Sequence, residues 1–339
     1  MNDEALVTLG RALLSHGYRF TTVTPATHAR VNARGVDDSR IDNDSSSSSD
    51  SNSNSNSNSN SNSNSNSNSH SSRALASLFG WSRSVPESAL PAPVLQAGRA
   101  AGVLVPEGNG LRSTLRASTL NEQLFFHSAF PTNQADAVFF GPDTYRFVTA
   151  ISAHLDGGRA VHRAVDICCG AGPGAVVVAL ARPDAEVHAV DINDAALRLT
   201  AVNAELAGAT RLTPHRSNLL AALDGEFDLI VANPPYLLDP GERVYRHGGG
   251  GLGEGLSLAI ADLACTRLAP GGTLLLYTGS AIIDGVDRFR GAVMPRLREG
   301  GVEARYVEVD PDVFGEELLQ PAYAEADRIA AVLVTARRA

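Results

Sequence analysis

The 339-residue chain contains no lysine: its 28 basic residues are all arginine, against 37 acidic residues, for a formal net charge of −9. The arginines are scattered, with only Arg337 and Arg338 adjacent. They read as codon bias in a GC-rich genome, and they lack the clustering on which tight nonspecific duplex binding rests. RNA stays open as a partner. Cysteine is scarce: Cys168 and Cys169 are adjacent and Cys265 stands alone, a spacing that suits neither a disulfide framework nor a zinc site. All three are expected as small buried apolar residues. Nine histidines show no ligand spacing, so no metal is expected. No apolar run makes a signal-peptide core with proper flanks or approaches the length of a membrane span, and Met1-Asn2-Asp3-Glu4 is acidic. A cytoplasmic protein without a membrane partner is expected. What the chain does have is ordinary globular composition, 43% apolar, and length enough for two domains.

Residues Ser45 to Ser69 are serine followed by Ser-Asn alternation, with no apolar surface to offset chain entropy. They predict a disordered insertion over about 37–72, tolerated because loop closure costs rise slowly with length. A role as an interaction tail is the alternative. Around it, Glu4 to His16 places Leu6, Leu9 and Leu13 on one helical face, with Gly17 as the stop. Ala74 to Gly80 and Ala89 to Ala101 predict two more helices. Gly102 to Val105, Leu111 to Ser118 and Gln123 to His127 predict strands joined in hairpins. Together these give a small N-terminal α+β domain, winged-helix-like, over 1–130.

From 131 to 339 the pattern changes. Apolar strands at 161–168, 186–190, 211–215, 227–232, 272–278, 302–309 and 328–335 alternate with helix-like segments, except across Pro311 to Asp327. The fold class is α/β, a doubly wound, mostly parallel seven-stranded Rossmann-like sheet. Within it, Val161 to Cys169 leads into Gly170-Ala171-Gly172-Pro173-Gly174 and then a helix. Glycines there let backbone N–H groups approach a ligand, and a helix N-terminus suits a carboxylate. The next strand ends in Asp191, where an acid can take ribose hydroxyls or, alternatively, cap a helix, a role open also to Asn193 and Asp194. The strand Phe227 to Ala232 ends in Asn233-Pro234-Pro235-Tyr236. This tetrapeptide suits methyl transfer to a planar nitrogen, whose delocalised lone pair is a poor nucleophile. The Asn233 side-chain oxygen and the Pro234 carbonyl can each accept an N–H and draw the nitrogen toward tetrahedral geometry. Two prolines preset that carbonyl, and Tyr236 supplies a flat face.

On these residues the chain resembles the class I S-adenosylmethionine-dependent methyltransferases. It looks like the branch carrying Asn-Pro-Pro-Tyr, which includes the HemK-like glutamine methyltransferases of peptide release factors and several adenine and guanine amine methyltransferases. The resemblance covers Phe139 to about Ala336 and implies S-adenosyl-L-methionine as cofactor. It implies that Gly170, Gly172 and Gly174 line the methionine part, that Asp166 helps order it, and that Asp191 binds the ribose. Asn233, Pro234 and Tyr236 would hold the acceptor nitrogen, and the final strand would run antiparallel. Where the family usually carries an acid after the third strand, this chain has Ser217-Asn218-Leu219. Asn218 can accept the adenine amine without charge assistance, or it can cap the next helix. Pro142-Asp143-Thr144 looks like the segment opening the helix before the core in HemK-like enzymes; plain helix initiation explains it equally.

Arg246 to Gly255 carries four consecutive glycines, which predict a mobile lid, a close backbone approach or a loose connector. As a lid it would bring Arg243, Tyr245, Arg246 and His247 to the substrate. His247 is given no catalytic role, because a methylated amine loses its proton readily. The function read from the sequence is N-methylation of a protein glutamine amide on a release-factor-like partner. The alternatives are an exocyclic base amine in RNA or DNA, and a noncatalytic binding module.

Overall fold

Buried apolar strands alternating with glycine-bounded helices from Pro142 onward build one sheet in the computed structural model, which describes residues 1–34, 71–239, 241, 243 and 245–339. The chain divides into two compact units, Met1–Ser118 and Thr119–Ala339.

In the first unit, α1 (Asp3–Ser15) buries Leu6, Leu9 and Leu13 on one face, as their spacing predicts, and Asn2 caps it by accepting the Ala5 N–H. A second helix, α2 (Pro25–Ala33), is unexpected. It has almost no apolar periodicity, and its signal is the Thr24-Pro25 start: the Thr24 hydroxyl accepts the Thr27 N–H and proline takes the first turn. Residues 71–80 are helical, with Ala76–Gly80 in π form. Of the insertion predicted over about 37–72, residues 71 and 72 are helical; the remainder, with the Ser45 to Ser69 repeat, lies outside the described residues. The helix at 71–80 is α3, and the helix expected from Ala89, α4, starts at Ala92, behind Pro91, and runs to Ala101; a short 3₁₀ turn, Glu87–Ala89, precedes it. Strands β1 (Leu104–Glu107) and β2 (Gly110–Ser113) form an antiparallel hairpin, and β3 (Leu115–Leu120) follows.

The division falls at Ser118, not at 130. Strand β4 (Gln123–Ser128) belongs to the second unit because buried Asn203 clasps it. The Asn203 Oδ1 accepts the Phe126 N–H at 2.8 Å, and its Nδ2 donates to the Phe126 and Ala171 carbonyls at 3.1 and 2.9 Å. After α5 (Pro142–Asp156) come β5 (Arg163–Ile167), α6 (Pro173–Ala181), β6 (Glu186–Asp191), α7 (Asp194–Ala207), β7 (Leu212–Arg216) and β8 (Phe227–Ala232). Then follow α8 (Gly255–Arg267), β9 (Leu268–Ile283), the two-residue β10 (Val286–Asp287), α9 (Arg288–Glu299), β11 (Val302–Asp310) and β12 (Arg328–Arg338).

The seven long strands lie in the order β11-β12-β9-β8-β5-β6-β7, and β10 pairs with β9. Neighbours from β7 to β9 are parallel, while β12 runs antiparallel to both β9 and β11. This is the predicted mostly parallel α/β sheet with its antiparallel final strand. No long helix joins β11 to β12; only the short turns Gly315–Leu319 and Pro321–Tyr323 do. Chain direction switches beside β5, since β6 and β7 lie on one side of it and β8 and β9 on the other. A crevice opens outside the carboxyl ends of the strands at such a point.

Replacing Asn203 by Ala would leave the Phe126 N–H and two carbonyls buried without their partner. Asn203→Ala is expected to lower unfolding free energy by about 2–4 kcal/mol, read as a lower urea midpoint.

Candidate active site

Four neighbouring parallel strands, β5, β6, β7 and β8, bring the residues that follow them to the crevice. The cleft is lined by Gly170, Ala171 and Pro173 after β5, Asp191 to Asn193 after β6, Ser217 to Leu219 after β7, and Asn233 and Pro235 after β8. Phe139, Thr144, Phe147 and Tyr245 close it from the side. A second, smaller pocket is lined by Pro234, Tyr236, Leu237, Asp143, Arg246 and Phe314. Four residues line both: Phe139, Asn233, Pro235 and Tyr245. Asn233 thus stands in the wall where the two cavities meet.

The glycine loop is built in two parts. Gly170, at φ +56°, lines the cleft, and its N–H goes to the Asp191 Oδ2 at 3.0 Å. Gly172 and Gly174, expected to line it too, instead shape the loop from behind. Gly172 is at φ +80°, where a Cβ would stand 2.8 Å from the Thr200 side chain; a Cβ on Gly174 would stand 2.7 Å from the Asp166 Oδ2. The positive-φ turn begins earlier than the glycines announce, at Cys168, with φ +60°. That residue lines the cleft and is half-buried, where a small buried apolar residue is expected. The signal missed is positional: Cys168 precedes Gly170 at the spacing at which Gly170 precedes Gly172.

Asp166 lies beneath the loop, 1% exposed, and does not reach the cleft wall. Its Oδ2 accepts the Ala175 N–H at 2.9 Å, in the first turn of α6, while its Oδ1 is buried without a hydrogen-bond partner among the described residues. Burial pushes this carboxyl up to about 8, and the neighbouring Asp191 adds to the rise. Asp191 caps no helix, since Asn193 does so by accepting the Ala195 N–H. The Asp191 carboxylate instead takes the Gly170 and Asn193 N–H groups at the cleft edge, and burial raises its titration as well. Asn218 lines the cleft; no helix follows β7 for it to cap, only turns, in which the Ser217 Oγ accepts the Ala222 N–H.

The glycine-rich segment is neither a loose connector nor a lid. Its backbone is pressed against the tetrapeptide: a Cβ on Gly248 would stand 2.6 Å from the Pro235 carbonyl oxygen, and one on Gly253 2.3 Å from that of Tyr236. Backbone bonds Leu237 N–H to Arg246 O (3.1 Å) and Gly248 N–H to Leu237 O (2.8 Å) lock the two segments together. Of the four side chains considered there, Arg243 is held by Asp239 and Arg246 by Glu317. The Arg243 hydrogen bonds keep the Asp239 carboxyl down at about 2. His247 Nδ1 accepts the Asp239 N–H. Tyr245 and Arg246 do line the smaller pocket.

Asp143 departs furthest from plain helix initiation. The Thr144 hydroxyl takes the Gly141 N–H at the start of α5, whereas Asp143 turns inward, 3% exposed, to accept the Tyr277 hydroxyl at 2.6 Å.

Residues 147–278 match the family model described as "Methyltransferase small domain". A ribosomal protein uL3 glutamine methyltransferase of Bordetella pertussis is 39% identical over 131 residues, covering 35% of this chain and 44% of that protein. A release factor glutamine methyltransferase of the same organism is 36% identical over 156 residues, covering 42% and 57%. A 4-amino-L-phenylalanine/4-methylamino-L-phenylalanine methyltransferase of Streptomyces pristinaespiralis is 34% identical over 145 residues, covering 39% and 49%. The chain spans about half the length of the curated relatives it matches. The methyltransferase resemblance carried by Asp166 to Gly174, Val190 to Asn193 and Asn233 to Tyr236 is borne out by these matches.

The buried Asp166 gives the ligand-free protein a pH signature. The unfolded chain releases this proton near the ordinary 3.8, the folded one only near about 8. The associated stability is complete below the lower value and is lost as pH rises through the higher one. Asp166→Asn stays neutral throughout. Its urea midpoint is expected to fall less than that of the wild type between about pH 5 and pH 8.

Proposed function

We propose that the second unit is an S-adenosylmethionine-dependent N-methyltransferase whose acceptor is a protein glutamine side-chain amide, on ribosomal protein uL3 or a peptide release factor. The observation that carries this reading is the position of Asn233, shared by both cavities. A group that steadies an acceptor nitrogen while a methyl arrives has to touch the donor side and the acceptor side at once.

The cleft suits the cofactor. A nucleoside needs an acid for its hydroxyls, an acceptor for its amine and an apolar slot between them; Asp191, Asn218 and the pair Ile192 and Leu219 supply these. The Gly170 to Gly174 loop and the start of α6 suit the methionine end, and Asp166 orders that turn through the Ala175 N–H. When bound, the cofactor supplies an electrophilic methyl group. The protein supplies orientation. The Asn233 oxygen and the Pro234 carbonyl accept the two amide hydrogens and weaken delocalisation of the nitrogen lone pair, and the prolines keep that carbonyl from reorganising. Pocket walls of Phe139, Tyr236, Tyr245 and Phe314 exclude water and favour a flat group.

A second reading is an exocyclic amine on an aromatic ring, a nucleobase of RNA included. The four aromatic walls favour it, as does the Streptomyces relative whose name specifies an aromatic amine. A noncatalytic module is disfavoured by a complete cleft and an accessible Asn233. A cytoplasmic location goes with the translation-associated acceptors; no helix among the described residues is long and apolar enough to cross a membrane.

The test is transfer of labelled methyl from S-adenosylmethionine to purified uL3 and release factor. Label is expected on glutamine. Asn233→Ala should keep cofactor affinity and lose about a hundredfold or more in turnover, the scale of losing one preorganised hydrogen-bond partner. Label appearing only in nuclease-sensitive material from a lysate would replace the first reading by the second.

A further inference from the structure

A carboxylate buried without need is costly, so Asp143 calls for a reason. Helix capping is not that reason, because Thr144 already satisfies the Gly141 N–H. The Asp143 Oδ1 accepts from the Tyr277 hydroxyl at 2.6 Å and from the Arg146 guanidinium at 3.2 Å, and Arg146 reaches on to Asp310 at 2.6 Å. Tyr236 stands beside the same carboxylate, and both side chains line the smaller pocket with Asn233.

Two further contacts grip the same ring. Gly279, two residues beyond Tyr277 on β9, leaves room for it: a Cβ there would stand 2.4 Å from the Tyr236 Cδ2. Phe314, held at φ +53°, meets it edge-on with centroids 5.8 Å apart. The ring is therefore bounded by elements from α5, β9 and the β11–β12 connection.

We propose that Asp143 is a positioning residue for the acceptor, holding the Tyr236 ring at the pocket wall beside Asn233, a role that rests on the methylation reading above. It touches no reacting atom. It acts by removing freedom from the one side chain of the tetrapeptide that has an aromatic face to offer. Loss of the carboxylate frees the phenol end, and the pocket then widens as the ring tilts.

The experiment uses the full chain with S-adenosylmethionine, uL3 and release factor as acceptors, and ¹³C-labelled tyrosine rings, the Tyr236 signals being assigned by their loss in Tyr236→Phe. Asp143→Ala is expected to shift the Tyr236 signals and lower kcat about ten- to a hundredfold, with cofactor affinity held within about twofold. Asp143→Asn keeps an acceptor oxygen without the charge and should be intermediate in both; it carries the test alone if Asp143→Ala does not fold. In a Tyr236→Phe background, Asp143→Ala should add no more than about twofold, because the two side chains act as one. Additive losses, or Tyr236 signals that do not move, overturn the proposal. If the wild type methylates neither acceptor, the acceptor reading falls, and the Tyr236 signals alone decide the positioning role.

Discussion

There is no room for a single additional carbon atom around Pro235 and Tyr236, and the site is built on that constraint. Gly248 and Gly253 press on their backbone, and Gly279 presses on the tyrosine ring, each so closely that a Cβ would fall well inside van der Waals contact. Close packing of this kind transmits position instead of absorbing it. The carbonyl of Pro234 and the side chain of Asn233 inherit their placement from a backbone held on two sides. A glycine run that reads as looseness in a sequence acts here as a clamp, because what glycine offers at these positions is absence of volume.

Three buried carboxylates divide the work of the second unit. Desolvation raises the titration of Asp143, Asp166 and Asp191 alike, yet their partners differ. Asp191 faces the cleft with two backbone N–H groups behind it, which leaves lone pairs for hydroxyl donors. Asp166 stands under the loop and steadies the first turn of α6. Asp143 ties α5 to β9 and, through Arg146, to the end of β11. Acids of one kind thus face a cleft, steady a loop and tie a scaffold, and only their neighbours tell these places apart.

Sheet, strand positions and the residues at the strand ends were legible because they follow from local patterns: apolar strands, a glycine loop, an acid one strand later, a tetrapeptide two strands after that. All seven long strands lie where those patterns place them. What escaped depends on contacts across the chain. Gly172 and Gly174 look alike in sequence to Gly170, but whether a glycine faces a ligand, Thr200 or Asp166 is decided by elements that pack later. Asp143 resembles an ordinary first-turn acid because its partner, Tyr277, is 134 residues away. Helix α2 escaped for the opposite reason, since its cap is local but its body carries no apolar face.

The acceptor pocket joins two kinds of wall. Asn233, Pro234, Tyr236, Tyr245 and Arg246 fall within residues 147–278, the span matched by the methyltransferase small domain, whereas Phe139, Asp143 and Phe314 fall outside it. The inner set contains the groups proposed to polarise a planar nitrogen, a requirement common to amides and aromatic amines. The outer set determines how wide the slot is and how firmly its tyrosine is held. Relatives whose names specify glutamine and relatives whose names specify an aromatic amine both align with this chain over less than half of its length. On the proposed methylation reading, discrimination between those acceptors falls to the outer wall, and the Tyr236 ring beside Asp143, Gly279 and Phe314 is where that wall meets Asn233.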